Sequence, residues 1–233
     1  MSVPGAVHQE TGVIEGISAI PYIHGFSWYE ALAHHKLPVH LENDANCVGL
    51  SELLAHPEIE NAACVVIGTG IGGAMIINGK LHRGHHGLGG EFGYMTTIEP
   101  AEKLNNWSQL ASTGNMVRYV IEKSGQSDWD GRKVYQEAAA GNTLCKEAIE
   151  RMNRNLAQGL LNIQYLIDPD VISLGGSISQ NPDFIKGVQK AVDAFVDRYE
   201  EYTIAPVIQA CTYQADANLY GALVNWLQEE NQW

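Results

Sequence analysis

Apolar residues in this chain follow two patterns, short continuous runs and longer stripes at helical spacing. The runs ACVVI, AMII, VISL and APVI are short and rich in β-branched residues, which is typical of buried strands. Other apolar residues recur at spacings of three and four, the period of one helix face: Ile149, Met152, Leu156, Leu160, Ile163 and Ile167. Because strand-like and helical segments alternate, the pattern predicts an α/β fold.

The ends of these elements carry turn and stop signals. Asn78-Gly79 lies between apolar flanks and predicts a type I′ hairpin. Before it, the strand ACVVI, the glycine-rich turn GTGIGG and the second strand AMII follow one another. That order differs from the strand–loop–helix of a P-loop or Rossmann unit. Asp168-Pro169 is expected to end the long helix. A further helix is predicted over 185–199, and a closing helix is expected to be capped by Asp216.

The segment LENDAN, residues 41–46, places polar side chains where a strand meets a helix. Residues 38–41 suit the strand and residues 45–54 suit the helix. One interpretation is that Asp44 caps the helix by accepting hydrogen bonds from its first free amides. The other is that a carboxylate at the end of a strand accepts a proton from a substrate alcohol, with Asn43 as a hydroxyl partner. The two roles are compatible.

Three glycine-bearing turns are predicted, each at the end of a strand: Gly68-Thr69-Gly70-Ile71-Gly72-Gly73, Gly89-Gly90-Glu91-Phe92-Gly93 and Leu174-Gly175-Gly176-Ser177. Glycine permits positive φ and close backbone approach, so that successive amides can point at phosphate oxygens. The hydroxyl of Thr69 would add another donor. The alternative is that these glycines only make tight turns. Three such turns together with the polar junction at 43–44 favour phosphate binding.

Composition excludes several classes of function. The chain carries a formal net charge of −13, whereas nucleic-acid binding requires clustered Lys and Arg. An anionic substrate would then be held by a metal ion and backbone amides. Four scattered cysteines predict neither a disulfide framework nor a zinc knuckle: Cys47, Cys64, Cys145 and Cys211. Because there is no basic leader and no long apolar run, we expect a cytoplasmic protein that binds neither nucleic acid nor membrane.

Four segments occur in the order typical of one protein family: LENDAN, VVIGTGIGGAMIINGKLHRG, GGEFGYM and VISLGGSIS. In these segments the chain resembles the ROK sugar kinases, and the likeness extends over nearly its whole length. The resemblance implies a bilobal α/β fold of the actin-like ATPase, or ribonuclease H-like, class. It implies an N-terminal lobe of residues 1–58 plus 217–233, with its first strands missing, and a C-terminal lobe of residues 59–216.

The resemblance also implies roles for the motif residues. Asp44 would be the catalytic base. The implied sugar ligands are Asn43, Asp44, Gly90 and Glu91. The residues that resemble a phosphate loop are Gly68, Thr69, Gly70, Gly72 and Gly73, and those that border the adenosine pocket are Gly175 and Gly176. The implied cofactors are ATP and Mg²⁺, since phosphoryl transfer needs alignment, charge neutralisation and one base.

One departure from the family pattern concerns zinc. Many ROK proteins bind zinc through a histidine after the Gly-Glu-x-Gly motif and through a following cysteine cluster. Here Tyr94 replaces that histidine, no cysteine follows it in MTTIEPAEKLNNWSQLAS, and a sugar-contacting glutamate is replaced near Ser108. His82, His85 and His86 lack a fixed fourth ligand and are interpreted as polar loop residues. We therefore expect no zinc, and the altered pocket wall leaves the preferred sugar open.

A second departure concerns the start of the chain. The family opens with a strand and an Asp-x-Gly-Gly-Thr turn that binds phosphate and Mg²⁺, and this motif occurs nowhere in the 233 residues. The opening segment SVPGAVHQETGVIEG resembles a later part of the family pattern. Because charge on the transferred group must be neutralised from two sides, we expect these residues alone to form a poor kinase. We also expect their N-terminal lobe to associate through an uncovered sheet edge.

Three functions are considered. The first is an ATP-dependent kinase acting on a hexose or hexose derivative. The second is a non-catalytic sugar-binding subunit that retains Asn43, Asp44 and Glu91. The third, a ROK transcription repressor, requires an N-terminal helix-turn-helix, whereas nothing basic or helical precedes Pro4. The resemblance also implies a homodimer.

Overall fold

The computed structural model describes residues 1–16, 20–98 and 104–232. The strands are β1 (Ser2–Val3), β2 (Ala6–His8), β3 (Val13–Glu15), β4 (Glu42–Asn43), β5 (Ala62–Ile67), β6 (Ile71–Ile77), β7 (Lys80–Leu81), β8 (Thr96–Ile98), β9 (Leu104–Asn106), β10 (Val171–Gly175) and β11 (Ile208–Ala210). The α-helices are α1 (Trp28–Leu32), α2 (Asp44–Ala55), α3 (Trp107–Ala111), α4 (Thr113–Ser124), α5 (Gly131–Ala139), α6 (Thr143–Ile167), α7 (Pro182–Val196) and α8 (Ala217–Glu229).

A five-stranded sheet forms the centre of the fold, in the order β11-β10-β5-β6-β7. β10 runs parallel to β11 and β5, whereas β6 runs antiparallel to β5 and β7. Strands of both directions joined through helices form a mixed α/β sheet, which confirms the predicted fold class. Because β5 and β10 are parallel, their carboxyl ends at Ile67 and Gly175 lie at one edge of the sheet.

Helices cover both faces of this sheet. Side chains alternate in direction along each strand, so neighbouring residues of one strand pack against helices on opposite faces. Val65 and Ile67 of β5 belong to the large hydrophobic cluster that includes residues of α6 and α7. Cys64, which precedes Val65 in β5, instead packs in a cluster with Val48 of α2. The central strand is therefore buried on both sides and provides a rigid base for the loops at its end.

The N-terminal residues form small sheets beside this core. β1 pairs in parallel with β4, and β2 pairs in antiparallel fashion with β3. Helix α2 follows β4 and packs on β5, β6 and α8. A Cβ on Gly221 of α8 would lie 1.8 Å from the carbonyl oxygen of Cys47, so only glycine allows this approach of α8 to α2. The division into lobes of residues 1–58 plus 217–233 and 59–216 stays a prediction.

Most elements predicted from residue spacing are confirmed. Asn78 and Gly79 have φ angles of 53° and 69°, both positive as a type I′ turn requires. Helix α6 carries the predicted apolar stripe and ends at Asp168, whose left-handed φ of 49° precedes Pro169. Among the described helices, including the 25-residue α6, none combines the length and apolar character that a bilayer crossing requires.

Three local predictions were wrong. Residues 38–41 are not a strand: β4 comprises only the next two residues, because β1, with which it pairs, is equally short. The helix predicted over 185–199 ends at Val196, and the Tyr199 ring packs edge-on against Tyr202 instead. Asp216 precedes α8 but makes no side-chain capping bond, since its backbone is helical rather than extended.

Candidate active site

The junction between β4 and α2 is held by the side chain of Asn43, which caps the helix. Its Oδ1 accepts hydrogen bonds from the backbone amides of Ala45 and Asn46 at 2.8 and 3.0 Å. Its Nδ2 donates to the carbonyl oxygen of Gly5 at 3.1 Å, which leaves one N–H of the amide for another partner. The interpretation of Asp44 as the helix cap was therefore wrong, because the preceding asparagine takes that role.

Asp44 is the first residue of α2, and its carboxylate lines a cavity. Its Oδ1 accepts a hydrogen bond from the amide of Ala45 at 2.9 Å, where the helix dipole also favours negative charge. Burial nevertheless raises the pKa of Asp44 above its ordinary 3.8, against the lowering effect of the backbone amides. A half-buried carboxylate of raised pKa in a cavity has the properties of a general base.

Glu91 reaches the same cavity from the loop after β7. Gly90 before it has a φ of 89°, and a Cβ there would lie 2.8 Å from the Cα of Ala74 in β6. Glycine at 90 thus lets the loop lie close to β6 and directs Glu91 toward Asp44. Burial raises the pKa of Glu91, and the negative charge of Asp44 raises it further. The two carboxyl groups therefore interact across one space.

Two adjoining cavities meet at these carboxyl groups. The larger, of about 400 Å³, extends from Asp44 and Glu91 to Gly68 and Gly70. The smaller, of about 200 Å³, extends from the same carboxyl groups to Asn43. The fold thus brings the predicted residues 43, 44 and 91 together with the first glycine turn. Gly90 lines neither cavity, but its close approach to β6 positions Glu91.

The glycine turn predicted over residues 68–73 is shorter than expected. It consists of Gly68, Thr69 and Gly70, and the Gly68 amide donates to the Gly70 carbonyl oxygen at 2.9 Å. The assignment of Gly72 and Gly73 to the turn was wrong, because both pair with β5 as part of strand β6. Strand pairing uses backbone groups alone, so glycine does not prevent it.

Packing does not explain glycine at positions 68 and 70. A Cβ on Gly68 would meet no atom within 4 Å, and one on Gly70 would be in ordinary contact with Ser108 at 3.5 Å. Neither residue has a positive φ. The bare backbone of this turn borders the larger cavity, which is the arrangement that lets amides approach phosphate oxygens.

The second glycine pair lies beside the end of β5. Gly176 has a φ of 89°, and a Cβ there would lie 2.1 Å from the carbonyl oxygen of Ile67. A third cavity, of about 500 Å³, is lined by the next residues, Ser177 and Ile178, and by residues of α4 and α5. Gly175 and Gly176 therefore position a wall of this cavity.

Comparison with known proteins assigns the chain to a family. The sequence profile of the ROK family matches residues 1–229. The chain belongs to the ROK family. A curated relative, a β-glucoside kinase from Listeria monocytogenes, is 34% identical over 240 residues, which cover 100% of this chain and 80% of the relative.

Solved structures of ROK proteins share the fold. A ROK family protein from Streptococcus pneumoniae TIGR4, in complex with sucrose, is 88% identical with a TM-score of 0.96 and covers 100% of this chain and 81% of its own. A ROK hexokinase from Thermus thermophilus is 26% identical with a TM-score of 0.84, covering 99% and 78% respectively. These likenesses confirm the predicted actin-like ATPase fold.

The positions at which this ROK protein departs from the family pattern lie at the larger cavity. Tyr94, in place of the zinc-binding histidine, is 64% exposed and lines both adjoining cavities. Ser108 accepts a hydrogen bond from the Ile71 amide at 2.9 Å and donates to its carbonyl oxygen at 3.2 Å, which fixes the start of β6. His85 and His86 line a different cavity. Across residues 1–16, 20–98 and 104–232, no group of three or more His, Cys, Asp or Glu is placed to hold a metal ion.

Sequence reasoning missed two asparagines of the larger cavity. Asn106 caps α3, and Asn218 comes from α8 near the other end of the chain. Asn106 ends β9 and caps α3 together with Gln109, so its spacing to Gln109 was a capping signal in the sequence, whereas nothing local marks Asn218. Their polar side chains become part of the site only through packing of distant elements.

A buried ion pair, also missed, joins the Asp44 junction to the loop that carries Glu91. Arg83 Nε donates to Glu42 Oε2 at 2.6 Å, and the Glu42 side chain is only 2% exposed. The other carboxylate oxygen, Oε1, accepts from the Asn43 amide and from Asn46 Nδ2, each at 2.9 Å. The only signal in the sequence was a carboxylate next to a buried strand end.

Proposed function

We propose that the protein transfers the terminal phosphate of ATP to a hydroxyl group of a hexose or hexose derivative. The observation that carries the proposal is the pair Asp44 and Glu91, which meet in a cavity bordered by the open glycine turn 68–70. A substrate hydroxyl requires a nearby carboxylate, and a phosphate group requires a turn with open backbone amides. The family and the kinase names of its relatives support the same reaction class.

Asp44 is assigned the role of base. Its carboxylate takes the proton of the substrate hydroxyl while the hydroxyl oxygen attacks the terminal phosphorus, and the bond to ADP breaks. A pKa raised by burial suits this role, because it brings the carboxylate closer to the basicity needed at neutral pH. Mg²⁺ bound with ATP would neutralise phosphate charge.

The sugar is assigned to the space between Asn43 and Glu91. The remaining N–H of Asn43 donates to a sugar hydroxyl, and the carboxylate of Glu91 accepts from another. Paired donors and acceptors of this kind orient a neutral polyol and hold one hydroxyl near Asp44. Tyr94 adds an aromatic face at the rim.

The nucleotide is assigned to the glycine turn and to the space beyond it, away from the sugar. The backbone amides of Thr69 and Gly70 would face the phosphates, since the Gly68 amide already donates within the turn, and Thr69 would add a hydroxyl donor. The nucleoside would occupy the third cavity beyond Gly176.

A glycosylated hexose is the favoured substrate class. The S. pneumoniae protein, 88% identical, was solved with sucrose, and the L. monocytogenes relative, 34% identical, is a β-glucoside kinase. Both are named with sugars whose anomeric carbon carries a second group. We further propose a cytoplasmic location and a homodimer, on the strength of the family resemblance and the composition.

The test is a coupled ADP-release assay with ATP and a panel of glucose, N-acetylglucosamine, N-acetylmannosamine, sucrose, cellobiose and other β-glucosides. Asp44→Asn is expected to lower turnover about 10²- to 10⁴-fold while calorimetric sugar affinity changes little. Asp197→Asn, the same change at an exposed position, is the control.

Each outcome separates the hypotheses. Sugar binding with no ADP release at all, not even the low turnover expected of a poor kinase, would favour the non-catalytic sugar-binding subunit. Normal turnover in Asp44→Asn would refute the assignment of the base. An ordinary parent turnover of about 1–100 per second would contradict the expectation of a poor kinase.

A further inference from the structure

A further cavity lies beside the sugar space, between the hairpin β2–β3 and the loop after β7. Its volume of about 450 Å³ is within the range of about 300–1,000 Å³ typical of small-molecule sites. We refer to it as the histidine cavity, because histidines are prominent among the polar residues that line it: His8, Gln9, Glu15, Arg83, His85 and His86. All of these residues except Arg83 are exposed, so a ligand in the cavity can reach them.

The histidine cavity adjoins the smaller sugar cavity along one face of the hairpin. Ala6 pairs with Glu15 across the two strands, so both side chains lie on the same face, and both residues line both cavities. His8, two residues after Ala6, continues this face into the histidine cavity. Neither Asp44 nor Glu91 lines the histidine cavity, so a group bound there lies beyond the reacting hydroxyl.

Both walls of the histidine cavity are attached to the junction that carries Asp44. The hairpin is held by Asn43, whose Nδ2 donates to the carbonyl oxygen of Gly5 at 3.1 Å, directly before β2. The loop is held by Arg83, whose Nε donates to Glu42 Oε2 at 2.6 Å. The position of the cavity relative to the sugar space is therefore fixed by contacts of β4 with each wall.

The loop that carries His85 and His86 is closed on itself. The amide of Gly89 donates to the carbonyl oxygen of Arg83 at 2.8 Å, which joins the two ends of the loop. The rings of His85 and His86 meet edge to face, with their centroids 4.5 Å apart. The loop thus presents two adjacent imidazole rings to one small polar space.

We propose that the histidine cavity binds the second ring of a glycosylated hexose whose first ring lies beside Asp44. The inference rests on the proposed function and names His85 and His86 as residues that determine specificity for the second ring. A histidine ring donates at least one N–H, and the carboxylate of Glu15 accepts, so the walls can pair with the hydroxyl groups of a neutral sugar.

The charges around the cavity favour a neutral second ring over a phosphorylated one. Glu10 and Glu15 both line the cavity and are exposed. The guanidinium of Arg83 is already paired with Glu42. A phosphate group would therefore face two carboxylates without an unpaired arginine to neutralise it.

Two ligands that differ in the second ring test the assignment. Cellobiose carries a second hexose ring, whereas methyl β-glucoside carries only a methyl group, which cannot fill the cavity. Calorimetry is expected to show tighter binding of cellobiose than of methyl β-glucoside to the parent protein. In the double variant His85→Ala with His86→Ala, cellobiose affinity should fall about 3- to 30-fold, as the loss of one or two hydrogen bonds predicts, while methyl β-glucoside affinity stays constant.

A second histidine pair supplies the matched control. His34 and His35 are exposed neighbours whose ring centroids are 3.9 Å apart, and neither lines the histidine cavity. His34→Ala with His35→Ala makes the same chemical change and should leave both affinities unchanged. His85→Asn with His86→Asn keeps an N–H donor at each position and should retain part of the cellobiose affinity.

The possible results distinguish this inference from the proposed function. A parent protein that binds neither ligand overturns both. Affinity of the parent for cellobiose that is equal to or weaker than that for methyl β-glucoside overturns the inference alone, as does unchanged cellobiose affinity in His85→Ala with His86→Ala. An equal loss for both ligands in that variant also overturns it, because it would show that the two histidines support the site beside Asp44 and do not bind a second ring.

Discussion

The ion pair between Arg83 and Glu42 is expected to be a main determinant of both stability and sugar binding. Arg83→Met removes the guanidinium 2.6 Å from Glu42 Oε2 and leaves a carboxylate whose side chain is 2% exposed. Breaking a buried pair in this way typically lowers the free energy of unfolding by 3–5 kcal/mol, because the remaining charge has no counterpart. Glu42 keeps two donors at Oε1, so we expect the lower end, about 3 kcal/mol.

The same substitution is expected to weaken sugar binding. Glu42 Oε1 accepts the hydrogen bond from the Asn43 amide, so a carboxylate that turns toward water would shift the residues next to it, including Asp44. Arg83 also precedes the loop that ends at Glu91, and its Nη2 donates to Asn225 of α8 at 3.0 Å. Loss of this anchor therefore acts on both sides of the sugar space.

Urea unfolding and sugar calorimetry check both effects. In the double variant Arg83→Met with Glu42→Gln, the buried charge is absent, so part of the lost free energy should return; a coupling of about 1–2 kcal/mol is expected for residues in contact. Lys133→Met breaks an ion pair whose Asp128 partner is exposed, and should leave stability unchanged within error. A loss below about 1 kcal/mol in Arg83→Met, equal to that control, would refute the reasoning.

The remaining predictions concern the glycine turn and the two carboxyl groups. Gly68→Ala should keep the unfolding temperature and weaken ATP binding, because its methyl group meets no protein atom within 4 Å and enters the space over the turn. Gly73→Ala should instead lower the unfolding temperature, since its Cβ would lie 2.3 Å from Phe92, and equal behaviour of the two variants would contradict this. In Asp44→Asn the pKa of Glu91 should fall toward its ordinary 4.5, because a negative neighbour is removed while burial remains; an NMR titration with an unchanged Glu91 pKa would count against it. The native state holds the Glu91 proton more tightly than the unfolded state does, so the free energy of unfolding should fall as pH rises from about 4.5 through the raised pKa of Glu91. The fall should be smaller in Glu91→Gln, as urea unfolding at several pH values would show.

Features with a local cause were predictable from the sequence. The Asn78-Gly79 hairpin, the apolar stripe of α6 and its end at Asp168 each depend on residues within a few positions of one another. The strand–helix junction at Asp44 was also found, although the capping side chain belongs to Asn43. Both residues are good caps by type, and only the backbone conformation of position 43 decides between them.

Features that depend on distant packing were not predictable in the same way. Gly68 and Gly73 look alike in the sequence, yet the first borders open space and the second is pressed against Phe92. The Arg83–Glu42 pair joins residues 41 positions apart. No spacing rule connects such residues, because their proximity follows from the docking of whole elements.

The position of the glycine turn could have been predicted from the direction of the strands, although residue spacing alone did not predict it. β5 and β10 are parallel neighbours, so their carboxyl ends must lie side by side, and each is followed by a glycine pair or turn. The observed contact of Gly176 with the carbonyl oxygen of Ile67 is the consequence. A strand order with β5 beside β10 therefore suffices to place the 68–70 turn next to the third cavity. The sugar side needs a different explanation, because β4 lies outside this sheet and reaches it only through the packing of α2 on β5 and β6. The glycine turn is thus fixed by sheet topology and Asp44 by the packing of α2, so substitutions in the α2 contact should alter sugar binding more than nucleotide binding.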